Sequence, residues 1–246
     1  MIISHRYQFI FVKTGKVGGT SLEIALSRFL GPDDVITTIS WKDELDRHRR
    51  GFRTAQNFDK TFGELRLSEY PRWLRSALLR RFRRGEEGLR GGLSRPDKYR
   101  GHMNAKEIKA RIGDQVWDEY YKFSIERNPW DKMVSKYFWD PDQKKTDISF
   151  RDYIFAGGCA SNYDYYSING LPAMDRMVRY EELGSELADL SHAVGLPENV
   201  YDTMKTINAK SGYRKDSDYR EMYDDELRDL VGIHFAREIR MMGYEF

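Results

Sequence analysis

The pattern of apolar and polar positions predicts strands that alternate with helices along most of the chain. Short apolar runs typical of strands occur at 7–12, 35–39, 120–126 and 176–180. Apolar residues at helical spacing occur at 20–30, 104–112, 130–139, 184–194 and from 224 onwards. This alternation predicts an α/β fold in which helices cover both faces of a mostly parallel central sheet.

A turn rich in glycine and hydroxyl residues follows the first predicted strand. It reads Lys13-Thr14-Gly15-Lys16-Val17-Gly18-Gly19-Thr20-Ser21 and leads directly into a predicted helix. Backbone N–H groups and the helix dipole at such a junction favour a phosphate-sized anion. The order differs from the loop of nucleoside triphosphatases, because Lys16 precedes the last glycine instead of following it. An ordinary strand-to-helix turn is the alternative interpretation.

A second polar motif, Arg127-Asn128-Pro129, follows the predicted strand at 120–126. Pro129 ends the strand and suits the first turn of a helix, in which Ser135 lies about two turns along. Both this motif and the glycine-rich turn come at the carboxyl ends of strands, where ligands bind in parallel α/β sheets. A surface ion pair is the alternative role for Arg127.

Together these motifs resemble the phosphate-binding elements of sulfotransferases that use 3′-phosphoadenosine 5′-phosphosulfate (PAPS). K-x-G-G-T-S resembles their 5′-phosphosulfate loop, and R-N-P followed by a serine resembles their 3′-phosphate element. The similarity extends to 101–108, 174–183, 219–223 and 243–246, within the branch that contains carbohydrate and Golgi-type enzymes. Residues 41–100 match least. Lys13 and Gly15 stand where the family commonly has His-x-Pro before the lysine.

The resemblance implies a P-loop NTPase-like three-layer α/β/α domain over 1–246, with a basic, largely helical insertion at about 41–100. It implies transfer of a sulfuryl group from PAPS to a hydroxyl or amine of a carbohydrate, leaving adenosine 3′,5′-bisphosphate (PAP), without a metal. The implied donor-binding residues are Lys16, Gly18, Gly19, Thr20, Ser21, Arg127, Ser135 and Arg214. For Arg214, a plain surface loop is the alternative.

Two residues are predicted to take part in the chemistry. Lys16 is a compact cation placed to neutralise the charge that develops on the bridging oxygen. His102 is the predicted general base, because related glycan sulfotransferases place a histidine in this stretch. A helix-capping or surface role is the alternative for His102, and Glu44 or Glu181 could then serve as the base.

Composition and length limit the class of protein. A chain of 246 residues, 40% of them hydrophobic, has the size of one α/β domain. It contains no apolar run of about 18 residues and no signal-peptide core, since Ile2-Ile3 is followed by polar residues. The single cysteine, Cys159, fits a reducing compartment. We therefore expect a soluble, cytoplasmic enzyme without a membrane-spanning helix. Animal enzymes of the resembled type usually carry a membrane anchor before the first strand, so the resemblance implies a bacterial enzyme.

The net charge of +2 conceals a basic segment, since 72–100 contains ten Lys or Arg residues against three acids. This segment could attract an anionic acceptor, such as a uronate-containing or sulfated glycan. It could equally be a solvated surface, or the binding face of a non-catalytic module for polyanions. A divergent P-loop kinase is a third possibility. The chain lacks a nucleic-acid reader motif, and no nucleic-acid partner is expected.

Overall fold

The computed structural model describes residues 1–65, 96–140, 148–207 and 218–246. Its centre is a five-stranded sheet with the order β3-β1-β2-β4-β7. The strands of this sheet are β1 (Ile2–Ser4), β2 (Phe9–Phe11), β3 (Val35–Ile36), β4 (Tyr121–Glu126) and β7 (Arg176–Arg179). β2, β4 and β7 are parallel, and β1 runs antiparallel to β2 and β3. The predicted mostly parallel sheet is therefore confirmed.

The periodicity of the sequence does not predict β1. Its residues Ile2, Ile3 and Ser4 are fully buried and pair in antiparallel register with β2. A segment of this length is too short for an alternating pattern to be recognised. A separate two-stranded hairpin, formed by β5 (Ser167–Ile168) and β6 (Leu171–Pro172), is not predicted either.

Helices occupy most of the connections. They are α1 (Gly19–Leu26), α2 (Trp41–Arg49), α3 (Ala105–Ile112), α4 (Asp114–Glu119), α5 (Pro129–Trp139), α6 (Phe150–Tyr153), α7 (Tyr163–Tyr166), α8 (Leu183–Ala193), α9 (Val200–Met204), α10 (Asp225–His234) and α11 (Ala236–Met242). Short 3-10 helices lie at Phe62–Glu64, Tyr180–Glu182 and Tyr219–Met222, and a π-helix lies at Ile154–Gly158. The helices predicted at 20–30, 104–112, 130–139 and 184–194 correspond to α1, α3, α5 and α8.

Local capping signals account for where several helices begin. The side chain of Asn104 accepts a hydrogen bond from the N–H of Glu107, and Asp224 accepts one from the N–H of Leu227. The last helix therefore begins where the sequence predicts. It does not continue as one helix, because the chain leaves helical geometry at Phe235 (φ −103°, ψ 22°) and resumes as α11.

Alternate residues of β2 face opposite sides of the sheet, as strand geometry requires. Phe9 and Phe11 pack in a core with residues of α1, α8 and α9. Ile10 and Val12 pack in a second core with residues of α3 and α4. Helices therefore cover both faces, as predicted. A third apolar cluster joins α5 to α10.

The segment predicted as a largely helical insertion is described only in part. It begins with α2, whose N-cap Ser40 accepts a hydrogen bond from Asp43 N–H. Between Arg50 and Leu65 the chain is irregular except for Phe62–Glu64, and the amide of Gln56 donates to backbone carbonyls of 31–34. Residues 66–95, which include most of the arginine-rich stretch, lie outside the described residues. The described ranges contain no helix that combines the length and the apolar composition of a membrane span.

Candidate functional site

The register of three parallel strands brings the two sequence motifs to one edge of the sheet. Phe11 of β2 is paired with Phe123 of β4, and Glu126 at the end of β4 is paired with Arg179 at the end of β7. The loop after β2 and the residues Arg127 and Tyr180 therefore emerge side by side. This carboxyl edge is where ligands bind in parallel α/β sheets.

The loop after β2 is tied to both neighbouring segments. The hydroxyl of Thr14 donates to the carbonyl of Ile125 over 2.7 Å. The N–H of Gly15 donates to Asn162 Oδ1, and Asn162 Nδ2 donates back to the carbonyl of Gly15, both over 3.1 Å. Asn162 is buried. The backbone of the loop is therefore held in place by neighbouring strands and side chains.

Gly18 fits a position that a larger residue would crowd. Its φ of 73° lies in the left-handed region, and a Cβ there would lie 3.3 Å from Met204 Cε and 3.4 Å from Tyr180 Cε2. Gly18 is also the N-cap of α1 and supplies no capping side chain. The first N–H groups of α1, next to the buried Thr20 and Ser21, can therefore serve a bound anion.

Lys13 lies beneath the loop and forms a buried ion pair with Glu23 of α1. Glu23 also pairs with the α-amino group of Met1. Burial alone would raise the pKa of the Glu23 carboxyl, but the charges of the Met1 amino group and Lys13 lower it to about 2. Lys13 thus takes a structural position and not one that faces solvent.

Lys16 lies on the solvent side of the same loop. Its backbone is left-handed (φ 63°), and its Nζ lies 4.9 Å from the ring centroid of Trp139 at the end of α5. Trp139 is 39% exposed. The ammonium group of Lys16 is therefore placed between the glycine-rich loop and the last turn of α5.

Arg127 is held in a defined orientation beside this loop. Its Nε and Nη2 donate to Asp131 Oδ2 over 2.7 and 2.6 Å, and its Nη1 donates to the carbonyl of Lys16 over 3.4 Å. The guanidinium carbon lies 4.3 Å from the ring centroid of Tyr180. Among the described residues these bonds leave one N–H on each terminal nitrogen, the pair with which arginine binds a phosphate. The ion pair considered as the alternative is thus present, and it does not occupy the whole group.

Ser135 lies on the same face of α5, one helical turn from both Asp131 and Trp139, and is half-buried. Asp131 holds Arg127, and Trp139 contacts Lys16. Through Asp131 and Trp139, the helix face that carries Ser135 therefore borders both Arg127 and Lys16.

His102 is exposed at the same edge of the sheet. Its ring lies 6.2 Å from that of Tyr165, which follows Asn162 by three residues in the chain. Its neighbour Gly101 accepts a hydrogen bond from the Met1 amino group over 3.2 Å. The assignment of His102 as general base stays a prediction.

The alternative bases have structural partners. Glu181 accepts the N–H of Asn128 over 2.7 Å. Glu44 accepts from Arg47 Nη1 over 2.9 Å and from the N–H of Ile39 over 3.2 Å.

The single cysteine is not suited to act as a nucleophile. Burial raises the pKa of the Cys159 thiol, which disfavours the thiolate form that a nucleophilic cysteine needs.

Two further predictions have limited structural counterparts. Arg214 falls in 208–217, outside the described residues. No cluster of three or more His, Cys, Asp or Glu side chains with metal-site geometry occurs in the described parts of the chain.

Four residues of the site were not identified from the sequence. Asp131 could have been found from its i,i+4 spacing to Arg127, and Trp139 from the same spacing to Ser135. Tyr180 lies directly after β7, within the range 174–183 to which the resemblance extends. Asn162 has no local signal, because its partner Gly15 lies 147 residues away in the chain.

Comparison with known proteins gives limited information. No family model and no solved structure matches the chain. A protein of Archaeoglobus fulgidus described as uncharacterized is 33% identical over 119 residues, which make up 46% of this chain and 98% of that protein. The chain therefore belongs to the same family as this archaeal protein. Because that description names no activity, the function has to be argued from the site.

Proposed function

We propose that this protein is a sulfotransferase that moves a sulfuryl group from PAPS to a hydroxyl or amine of a carbohydrate. In this proposal the α/β fold is the P-loop NTPase-like three-layer domain of that family. The observation that carries the proposal is the convergence of two phosphate-type elements at one sheet edge. Arg127 donates directly to the backbone of Lys16, so the elements are in contact.

The residues present suit a nucleotide that carries phosphate groups at both the 5′ and the 3′ positions of its ribose. The loop at 15–21 offers a glycine backbone and a helix N-terminus for the 5′-phosphosulfate. Arg127, with its remaining N–H pair, and the Ser135 hydroxyl suit a 3′-phosphate. ATP lacks a 3′-phosphate, and these two residues would then have no function in a kinase.

The reaction needs charge neutralisation and proton removal. The acceptor oxygen forms a bond to sulfur while the bond from sulfur to the bridging oxygen breaks, and its electron pair stays on the 5′-phosphate of PAP. Lys16 would stabilise the charge on that oxygen, which for a single transition-state donor contributes about 10²–10³ in rate. The acceptor proton would pass to a base, for which His102 is the candidate.

The proposal can be tested without knowledge of the acceptor. Isothermal titration calorimetry of PAP, AMP and ATP should show preference for PAP in the wild type. Arg127→Ala should weaken PAP binding at least about tenfold, because charged hydrogen bonds to the 3′-phosphate are lost. Its affinity for AMP should stay within about threefold of the wild-type value. Arg176→Ala is the matched control, because Arg176 begins β7 at the opposite edge of the sheet.

Arg176→Ala should bind PAP as the wild type does. Equal affinity for the three nucleotides, or none for any of them, would refute the proposal. Preference for ATP would favour the kinase alternative.

A further inference from the structure

Tyr180 lies where the two proposed phosphate elements meet. The guanidinium carbon of Arg127 lies over its ring, 4.3 Å from the ring centroid. The edge of the same ring lies against Gly18, where an added Cβ would be 3.4 Å from Tyr180 Cε2. One half-buried side chain thus contacts both the 5′-phosphosulfate loop and the 3′-phosphate arginine.

The fold leaves Tyr180 little freedom to move away from this position. It follows directly after β7, whose last residue Arg179 is paired with Glu126 at the end of β4. The next residue, Glu181, accepts the N–H of Asn128 over 2.7 Å. The backbone on both sides of Tyr180 is therefore fixed to the backbone on both sides of Arg127.

We propose that Tyr180 is a positioning residue that sets the distance between the two phosphate elements and thereby selects nucleotides that carry a 3′-phosphate. This inference rests on the proposed function and adds a specificity role to a residue outside both phosphate motifs. It acts through Arg127, since the ring supports the guanidinium from one side and limits the directions in which its remaining N–H pair can point. A flexible aliphatic side chain would fill the space but would not orient the guanidinium.

The quantity to measure is the ratio of the dissociation constants of AMP and PAP, because it isolates the contribution of the 3′-phosphate. Tyr180→Leu should lower this ratio about tenfold, as expected for loss of a desolvated cation–π contact, while AMP affinity stays within about threefold. Tyr180→Phe retains the ring and should keep the wild-type ratio. Tyr180→Met, which fills the space by a flexible chain, gives a second variant if Tyr180→Leu does not fold.

Tyr201→Leu is the matched control. Tyr201 is another half-buried tyrosine whose ring packs on a glycine, at 3.4 Å from a Cβ placed on Gly184. Its replacement should cost similar packing and leave the ratio unchanged. In an Arg127→Ala background, Tyr180→Leu should have no further effect on the ratio, because the residue through which it acts is gone.

The outcomes separate the two proposals. An unchanged ratio in Tyr180→Leu and Tyr180→Met, or an equal loss for PAP and AMP, would overturn the role of Tyr180 and leave the proposed function intact. A wild-type ratio near one would refute both. A full effect of Tyr180→Leu in the Arg127→Ala background would also overturn the inference.

Discussion

Replacement of Gly18 by alanine tests the crowding around the loop. Gly18 has a φ of 73°, and a Cβ there would lie 3.3 Å from Met204 Cε and 3.4 Å from Tyr180 Cε2. Gly51 has a nearly identical φ of 71°, and a Cβ added to it would meet no atom of the described residues within 4 Å. Gly51→Ala should therefore lose only the stability that a left-handed residue with a Cβ costs. Gly18→Ala should lose the same amount and, in addition, the cost of packing the new Cβ against its neighbours.

The left-handed backbone and the added contacts contribute separately to the loss of stability. A left-handed conformation costs a residue with a Cβ about 1–2 kcal/mol, which is the full expectation for Gly51→Ala. Overpacking adds about 1–3 kcal/mol. Because the tightest contact is with Met204 Cε, the end of a flexible side chain that can shift, we take the low end of that range. Gly18→Ala should then lower the free energy of unfolding by about 2–3 kcal/mol.

Urea unfolding of both variants gives the stability difference, and calorimetry with PAP gives the effect on the site. We expect Gly18→Ala to weaken PAP at least about tenfold, since it strains the left-handed loop backbone that would bind the 5′-phosphate, and Gly51→Ala to bind PAP normally. Equal stability losses in the two variants, together with normal PAP binding by Gly18→Ala, would refute the reasoning.

Three further perturbations address other parts of the site. Asn162→Ala removes both bonds to Gly15, so urea unfolding should show a loss of about 2–3 kcal/mol; a loss no larger than that of an exposed substitution would contradict this. Lys16→Met should slow PAPS cleavage about 10²–10³-fold, and unchanged cleavage would exclude Lys16 from the chemistry. The pKa of Glu23 is lowered from 4.5 to about 2, so the stability it contributes is present above pH 4.5 and lost as the pH falls towards 2. Urea unfolding at several pH values should show this loss in the wild type and less of it in Glu23→Gln.

The elements that carry the site could be predicted from the sequence because their signals are local. Apolar periodicity indicates β4, α5 and α8, and the capping residues Asn104 and Asp224 mark helix starts. The motif order also places Lys16 and Arg127 at strand ends. The short strand β1 is missed because three residues carry no period, and the break at Phe235 is missed because apolar residues continue at helical spacing across it.

What the sequence by itself determined is therefore the alternation of the longer strands and helices and the two motifs at strand ends. Only the tertiary structure decided which side chains hold those motifs together. Asn162 meets Gly15, and Tyr180 meets both Arg127 and Gly18, across long separations in the chain. These contacts depend on the register of parallel strands, which is set by hydrogen bonds between distant segments and leaves no periodic signal along the chain.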